Sequence, residues 1–344
     1  MSALALVFDV GGTHIRAGAY SLTERCLVRT ARDSLDRGMQ PPTGADASGG
    51  GLFELLAALA RLVMAGESPE LVVVGFPGPI DPLGNPLAAP TIWGSVQDGT
   101  LPVKELLQAQ WPDAPLLVLN DVTAAGFRYL SHPEESLCVV TVSSGIGHKV
   151  FAQGRPVVGP GGRGGEIGHL QIDFSPDAPL CDCGHRGHLG AIASGRASHY
   201  QVMRLAQEDP GGFGESLLAA RSGSNPEAVR NEHLVAAFHQ RDAWVERVIS
   251  RMAEPLGFAL AAIHLTVGVE RFVLIGGFAL ALGSRYRAQT AAAAARCGWD
   301  LGLDWNRAVE LGQADDDAGL VGAGHFAAMH CDAMLGRGIV SRVG

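Results

Sequence analysis

The sequence predicts an α/β fold built as two domains. At 344 residues the chain is long enough for two domains and a large buried core. Aromatic residues make up only 6% of the chain while glycine is abundant, which favours helices packed on sheets over an aromatic-rich β-sandwich. Two strand–turn–strand units of similar design, one at the start of the chain and one near its middle, indicate a duplicated architecture.

The first of these units opens the chain. Leu4 to Phe8 is a short apolar run typical of a buried strand, and Ile15 to Tyr20 resumes a strand pattern. Between them lie Asp9 and the turn at 11–13, Gly-Gly-Thr, so a hairpin with a glycine turn is predicted. Glycines let backbone N–H groups approach an anion closely, and the threonine adds a hydroxyl donor. From spacing alone, the turn is either an ordinary tight hairpin or a phosphate-binding loop.

The next stretch alternates loops with regular structure. Residues 36–51 are rich in proline and glycine and predict a loop, and Leu52 to Met64 has helical apolar spacing. Leu71 to Phe76 is predicted as a central strand, ended by the prolines of the GFPGPID segment because proline cannot donate a ladder hydrogen bond. Asp81 to Gly94 is a further predicted loop and carries Thr91.

Asn120 and Asp121 follow a third predicted strand, Leu116 to Leu119, and precede the helical sequence VTAAGFRYL. Ligands of open α/β sheets gather at the carboxyl ends of strands, so these two side chains are candidates for a site. Both residue types also cap helices well, so either could serve only as a cap. One residue could do both.

The second strand–turn–strand unit runs through Val139 to Val142 and the turn at 143–147 into a return strand. Its likeness to the first unit suggests that phosphates are held between two similar halves. Trp244 to Val267 is a long helical stretch that Pro255 could kink or divide. The strand Arg271 to Ile275 ends on a glycine pair, which suits close approach to a nucleotide but also an ordinary strand-to-helix turn.

Potential metal ligands are concentrated between Gly161 and Gly195. Two thiols one residue apart, with histidines before and after them, supply the four ligands of a closed tetrahedral Cys₂His₂ zinc site. These candidate ligands are His169, Cys181, Cys183 and His188. No open position is needed, so the metal is interpreted as structural. His185 could replace His188, and the alternative without metal is a reduced loop, because C-x-C is less diagnostic than C-x-x-C.

Composition narrows the classes of function. A formal net charge of −9 argues against nucleic acid as the main partner. The remaining cysteines are scattered singly, which predicts a reducing cytoplasm rather than a disulfide framework. The N-terminus has no basic leader, and no apolar run approaches the length of a membrane span, so neither secretion nor membrane insertion is expected.

Six stretches in order, from Leu4 to about Ala328, resemble the ROK family of sugar kinases and related repressors. They are DVGGT, GFPGPID, the Asn-Asp pair, SSGIGHK, GEIGH with CDCGHRGH, and VLIGG. The resemblance implies the actin-like/hexokinase (ribonuclease H-like) ATPase fold, with two α/β domains around a central cleft. The implied domains are 1–121, joined by the C-terminal helix near 325–344, and 122–324. The resemblance also implies a homodimer.

ROK repressors carry a DNA-reading domain before the first phosphate loop. Only eight residues precede Asp9, so no such domain is expected.

The resemblance also implies a role for each matched residue. Asp121 would be the general base that takes the proton of a primary hydroxyl as it attacks the γ-phosphate of ATP, and Asp9 would orient Mg²⁺. The substrate's hydroxyls would be bound by Asn120, Glu166, His169 and Thr91. The nucleotide would be bound by Gly11, Gly12, Thr13, Ser144, Gly145, Gly276 and Gly277. The zinc ligands would be the four given above, with one nitrogen of His169 on the metal and the other available to the substrate.

Three positions depart from the family's pattern, and the third bears on the substrate. His188 replaces a third knuckle cysteine, and the turn SSGIGHK is less rich in glycine than usual. Gly190 replaces a glutamate that binds hydroxyls near the anomeric end of the sugar. A buried glucose hydroxyl without that acceptor would cost roughly 1–3 kcal/mol.

The predicted function is an ATP- and Mg²⁺-dependent kinase for the primary hydroxyl of a glucose-like ring. The absence of a glutamate at 190 favours a C7-cyclitol from antibiotic biosynthesis, such as 2-epi-5-epi-valiolone, whose far end would need no carboxylate. The alternatives are a glucokinase or other hexose or N-acylhexosamine 6-kinase, and a catalytically weak sugar sensor.

Overall fold

The computed structural model describes residues 3–12, 14–34, 50–89, 92 and 102–334. The strands, in chain order, are β1 Leu4–Val10, β2 His14–Ser21, β3 Cys26–Ser34, β4 Leu71–Phe76, β5 Leu116–Asn120, β6 Leu137–Val142, β7 Ile146–Ala152, β8 Arg155–Pro156, β9 Phe272–Ile275 and β10 Val309–Leu311. The α-helices are α1 Gly50–Met64, α2 Val103–Gln110, α3 Asp121–Gly126, α4 Leu189–Ala193, α5 Ala197–Glu208, α6 Pro210–Glu215, α7 Leu217–Ser222, α8 Asn231–His239, α9 Ala243–Val267, α10 Gly277–Leu282, α11 Ser284–Cys297, α12 Trp305–Ala308 and α13 Ala318–Met334. Single 3₁₀ turns span Phe127–Tyr129, Ile167–His169 and Pro226–Ala228.

The chain divides into two compact units. Unit 1 comprises Met1–Ser131, Val157–Gly164 and Asp315–Gly344, and unit 2 comprises His132–Pro156 and Gly165–Ala314. The functional domain boundaries implied by the family resemblance remain a prediction.

The sheet of unit 1 has the strand order β3-β2-β1-β4-β5. β1 pairs antiparallel with β2 and parallel with β4, and β5 continues the parallel side. Alternate residues of β1 serve different layers, because successive side chains of a strand point to opposite faces. Leu6 and Phe8 join the core around α1 and α2, whereas Ala5 and Val7 join a second core formed with α3 and α13. The carboxyl ends of β1 and β5 thus lie in a sheet that is covered on both faces.

The sheet of unit 2 repeats this arrangement, with the order β10-β9-β6-β7-β8. β6 takes the central place of β1, pairing antiparallel with β7 and parallel with β9. The predicted duplication of the strand–turn–strand units, and the predicted α/β class, are therefore confirmed.

The long helix α9 forms the centre of unit 2's core. It continues through Pro255 as one helix, so of the two alternatives left open by the sequence, a kink or a division, the division is excluded. α9 packs on α11 at close range: a Cβ on Gly257 would lie 2.4 Å from Cβ of Ala293. Among the described helices, α9 alone is long and apolar enough to span a membrane, but 56% of the relevant window is buried inside the protein. α9 is therefore a core helix of unit 2.

Candidate active site and metal centre

Asp9 occupies the carboxyl end of β1, beside the first glycine turn. The turn is closed by a hydrogen bond from the Gly11 amide to the His14 carbonyl at 3.0 Å. The Asp9 carboxylate accepts a hydrogen bond from Nη1 of Arg16 at 3.2 Å. Burial raises the pKa of Asp9, and Arg16 partly offsets this by lowering it. Gly12 follows in the turn, and Thr13 lies outside the described residues.

α13 approaches Asp9 so closely that it needs a glycine there. A Cβ on Gly319 would lie 2.5–2.8 Å from the carboxyl atoms of Asp9. The missing side chain at 319 therefore sets the space in which this carboxylate sits. Gly319 belongs to no motif singled out in the sequence, and nothing in the local pattern shows that helix and strand meet at this residue.

Asn120 is the N-cap of α3, and Asp121 is the helix's first residue. The backbone of Asn120 is extended, and its side-chain oxygen accepts from the Thr123 amide at 3.0 Å. Its Nδ2 donates to Oδ1 of Asp121 at 2.8 Å. The capping role that the sequence left open between the two residues thus belongs to Asn120. The carboxylate of Asp121 lies at the positive end of the helix, where a negative charge is favoured.

The GFPGPID segment holds this pair in place. Nδ2 of Asn120 also donates to the Gly78 carbonyl at 3.1 Å. Gly78 has φ +91°, and a Cβ there would lie 1.8 Å from the Ala88 carbonyl oxygen, so only glycine fits. The segment therefore orients Asn120 through the Gly78 carbonyl. The close approach of Ala88 explains why residue 78 is a glycine. Thr91, the other predicted substrate contact in this unit, lies outside the described residues.

In unit 2 the turn between β6 and β7 carries Ser144 and Gly145. The turn is closed by a hydrogen bond from the Ser143 amide to the Gly145 carbonyl at 2.9 Å. The glycine pair after β9 packs against the same strand end: a Cβ on Gly276, which has φ +92°, would lie 2.7 Å from the Val142 carbonyl oxygen. The structure thus brings the predicted phosphate turn and the predicted nucleotide turn, Gly276 and Gly277, together.

A buried lysine lies beside Glu166. Lys149 on β7 is only 1% exposed, and a Cβ on Gly165 would lie 2.3 Å from its Nζ. Burial raises the pKa of Glu166, and the positive charge of Lys149 lowers it. The ammonium of Lys149 therefore favours the ionised form of Glu166, which burial alone disfavours. Lys149 belongs to the SSGIGHK segment, but the sequence alone does not show that it lies beside Glu166.

The four predicted zinc ligands converge. One donor atom from each of His169, Cys181, Cys183 and His188 lies within 4.8 Å of the others. Zinc–sulfur and zinc–nitrogen bonds of about 2.3 and 2.0–2.1 Å require donors separated by roughly 3.3–3.8 Å in a tetrahedron. The observed distances, 3.6 Å from Cys181 Sγ to His169 Nδ1 and 3.2 Å from Cys183 Sγ to His188 Nδ1, suit such an ion.

The structure distinguishes the two candidate histidines at the end of the knuckle. Nδ1 of His188 joins the four-donor cluster, whereas His185 lies outside it, at 3.8 Å from Cys183 Sγ and with its ring stacked on that of His188. Gly187, with φ +73°, turns the chain between them, and a Cβ there would lie 1.8 Å from the Asp173 carbonyl oxygen. Nδ1 of His169 faces the thiol of Cys181, so the predicted contact of His169 with a substrate hydroxyl would use the other ring nitrogen.

Gly190 lies in a tightly packed place. It is in α4, two residues after His188, and a Cβ there would lie 3.1 Å from the Gly168 carbonyl oxygen. A side chain at this position would need its backbone neighbour, one residue before His169, to move by a few tenths of an ångström. Glycine at 190 thus fits beside the metal centre without any shift of the neighbouring backbone.

Comparisons with known proteins show the family to which the chain belongs. Residues 6–329 match the ROK family. Over 337 residues the chain is 39% identical to a C(7)-cyclitol 7-kinase of Streptomyces hygroscopicus subsp. jinggangensis, with 95% of each protein covered. Over 282 residues it is 29% identical to an N-acetylmannosamine kinase of Escherichia coli, with 81% of this chain and 84% of that protein covered.

Solved structures show the same fold. A ROK family glucokinase of Streptomyces griseus, crystallised with glucose and AMPPNP, superposes with a TM-score of 0.73 at 23% sequence identity. The superposition covers 94% of this chain and 99% of the glucokinase. The hexokinase-like arrangement of two α/β units, expected from the six motifs, is therefore confirmed.

Proposed function

The chain belongs to the ROK family as a phosphotransferase that acts on an alcohol group, and we propose that its acceptor is the 7-hydroxyl of a C7-cyclitol such as 2-epi-5-epi-valiolone. The observation that carries this proposal is the 39% identity to a C(7)-cyclitol 7-kinase over 95% of both chains. Gly190 supports it, because a glycine offers no carboxylate to the acceptor, and the far end of the cyclitol ring needs none.

The proposed base is Asp121. Its carboxylate takes the proton of the primary hydroxyl while the hydroxyl oxygen forms a bond to the γ-phosphorus of ATP. The bond from that phosphorus to the β-γ bridging oxygen breaks, and ADP leaves. A positioned base contributes on the order of 10²–10⁴ in rate. Asn120 supports the proposal, because one amide caps α3 and donates to the Asp121 carboxylate at 2.8 Å.

The remaining acceleration comes from positioning and charge stabilisation. Asp9, on its buried strand end, would hold Mg²⁺, which when bound neutralises negative charge on the phosphate oxygens. The turns at 11–13 and 143–145 and the glycine pair 276–277 would bind the nucleotide through backbone N–H groups. Glu166, His169, Asn120 and Thr91 would bind the acceptor's hydroxyls.

The zinc ion is proposed to be structural. His169, Cys181, Cys183 and His188 would hold it, leaving no open coordination position. Since His169 would contact both the metal and the acceptor, loss of zinc should weaken acceptor binding. We also place the enzyme in the cytoplasm, since all six cysteines are free, and expect a homodimer.

A second candidate function is a hexose or N-acylhexosamine 6-kinase. The 29% identity to an N-acetylmannosamine kinase favours it, but over a smaller share of the chain.

An ADP-release assay with saturating ATP and Mg²⁺ tests the proposal. The acceptors compared are 2-epi-5-epi-valiolone, glucose, mannose and N-acetylmannosamine, and NMR locates the phosphate on the product. We expect kcat/KM for the cyclitol to exceed that for each hexose by at least about tenfold. A difference of about 1.4 kcal/mol in binding is enough for this factor. The phosphate should be on the primary oxygen of the product. Fast, tight-binding turnover of glucose or of N-acetylmannosamine would instead establish the second candidate.

A further inference from the structure

Arg196 is anchored on the turn between β6 and β7. Its Nε donates a hydrogen bond to the Ser144 carbonyl at 2.8 Å. Its Nη2 lies 3.9 Å from the place that a Cβ on Gly145 would occupy. The guanidinium group therefore lies over the turn proposed to bind phosphates, facing a residue that offers no side chain in its way.

The backbone next to Arg196 is built for this approach. The Gly195 amide donates to the Ser143 carbonyl at 2.7 Å. A Cβ on Gly195 would lie 2.7 Å from that same oxygen, so a larger residue would push the two segments apart. This contact brings the start of α5 against the phosphate turn.

Asp182 restrains the other end of the guanidinium group. The Asp182 carboxylate pairs with Nη1 of Arg196, and it lies between the two thiols of the proposed zinc site, Cys181 and Cys183. Both side chains are well exposed, at 58% for the arginine and 56% for the aspartate. An ion pair this exposed adds little to folding stability, so stability does not account for its place on the turn.

We propose that Arg196 binds the terminal phosphates of ATP and that Asp182 positions it, which ties the zinc knuckle to the nucleotide. The proposal rests on the proposed function, because it takes the turn at 143–145 as a phosphate site. A guanidinium group offers five N–H donors in a planar fork that matches phosphate oxygens. With Nε on Ser144 and Nη1 on Asp182, the donors of Nη2 are directed at the turn.

The test is equilibrium binding of ATP, ADP and adenosine to the full chain, by calorimetry with Mg²⁺ and zinc present and no acceptor. Arg196→Ala should weaken ATP binding by roughly 10-fold, as expected for loss of a charged hydrogen bond, and should leave adenosine binding unchanged. Arg196→Lys should recover part of the loss, since it restores charge without the fork. Asp182→Asn should weaken ATP by a smaller factor while zinc content stays at the wild-type level.

Arg247→Ala is the matched control. Arg247 is similarly exposed, at 53%, and also pairs with an aspartate, Asp209, in unit 2. Its ATP affinity should equal that of the wild type. Unchanged ATP binding in Arg196→Ala, or an equal loss for adenosine, would overturn the proposal. Because no acceptor is present, a failure of the cyclitol assignment leaves these ratios intact. A wild-type chain that binds no adenine nucleotide would overturn the proposed function as well.

Discussion

Asn120 and Asp121 divide two tasks between neighbouring side chains at the start of α3. The asparagine caps the helix, and the aspartate carboxylate accepts from its own helix's Val122 amide at 2.8 Å. An asparagine at 121 could still accept both hydrogen bonds through its amide oxygen, so the fold should survive the change. The two tasks can therefore be separated by mutation.

Asp121→Asn should lower kcat/KM by about 10²–10⁴, because the amide cannot take the hydroxyl proton. ADP release measures the loss, and circular dichroism with thermal unfolding checks that the fold is kept. Activity within a few-fold of the wild type would mean that Asp121 is not the base. A wild-type chain that binds acceptor and ATP without turnover would identify a sugar sensor instead.

Lys149→Met removes a buried charge at nearly constant volume. Without the ammonium, the pKa of Glu166, already raised by burial, should rise further, and less of the carboxylate would be ionised near neutral pH. We expect the KM for the acceptor to rise by roughly tenfold and the KM for ATP to stay constant. Stability should fall, because the Glu166 carboxylate loses the nearby positive charge that offsets its burial. The double variant Lys149→Met/Glu166→Gln should recover stability but not acceptor binding; recovery of both would contradict the assignment.

The zinc knuckle depends on a backbone turn at Gly187, which places His188, the last of its four candidate ligands. His188→Ala should abolish stoichiometric zinc in the purified protein and lower its thermal stability, since metal binding energy contributes to folding. His185→Ala should keep zinc, because no donor atom of His185 belongs to the four-donor cluster. Metal analysis of both variants decides between the two histidines. Equal zinc loss in both would show that the four-donor cluster is wrongly assigned.

The helix α13 packs against the end of β1 through Gly319, which has no side chain. Gly319→Ala should push the Asp9 carboxylate aside, because the new Cβ would lie about 2.5–2.8 Å from it. Overpacking of this kind typically costs about 1–3 kcal/mol, and displacement of Asp9 should also raise the Mg²⁺ concentration needed for half-maximal rate. Gly214→Ala is the control, since a Cβ at that helical glycine meets nothing within 4 Å. Identical Mg²⁺ dependence in both variants would contradict the role given to Asp9.

These elements also show what the sequence could and could not predict. Apolar runs were sufficient for the central strands β1, β4 and β6, because each is buried over most of its length. The edge strand β3 has no apolar run and was not predicted, since its residues are exposed or half-buried. Ligand types and spacing predicted the zinc cluster. The partners of Lys149 and Arg196 could not be predicted, because they are distant in sequence and meet only through the fold.

At the scale of the whole molecule, the two units share one strand order, with a hairpin turn beside the central strand in each. In unit 1 the turn follows Asp9, which pairs with Arg16. In unit 2 the turn is followed by the buried His148 and Lys149. A repeated scaffold thus carries different charged groups in its two copies. Their titration should appear in the stability of the entire chain.

His148 gives that stability a defined pH dependence. Its Nδ1 accepts from the Ile167 amide at 3.2 Å, and burial together with Lys149 lowers its pKa to about 4. Between its folded pKa and the ordinary value near 6.5, the unfolded chain binds the proton and the folded chain does not. This residue therefore destabilises the fold progressively as the pH falls through that window, by about 3 kcal/mol in total. The half-buried carboxylates of Asp9 and Glu166, whose pKa values are raised, act in the opposite direction.

The contribution of His148 is isolated by comparison with His148→Asn, whose side-chain oxygen can accept from the same amide but does not titrate. Denaturant unfolding of both proteins at pH 7.5 and at about pH 4.5 gives the two pH-dependent losses. The variant should lose about 2–3 kcal/mol less than the wild type, because acid-driven loss of zinc and titration of the carboxylates are common to both. Equal losses would mean that His148 takes up its proton in the folded protein as readily as in the unfolded chain, which would contradict the lowered pKa.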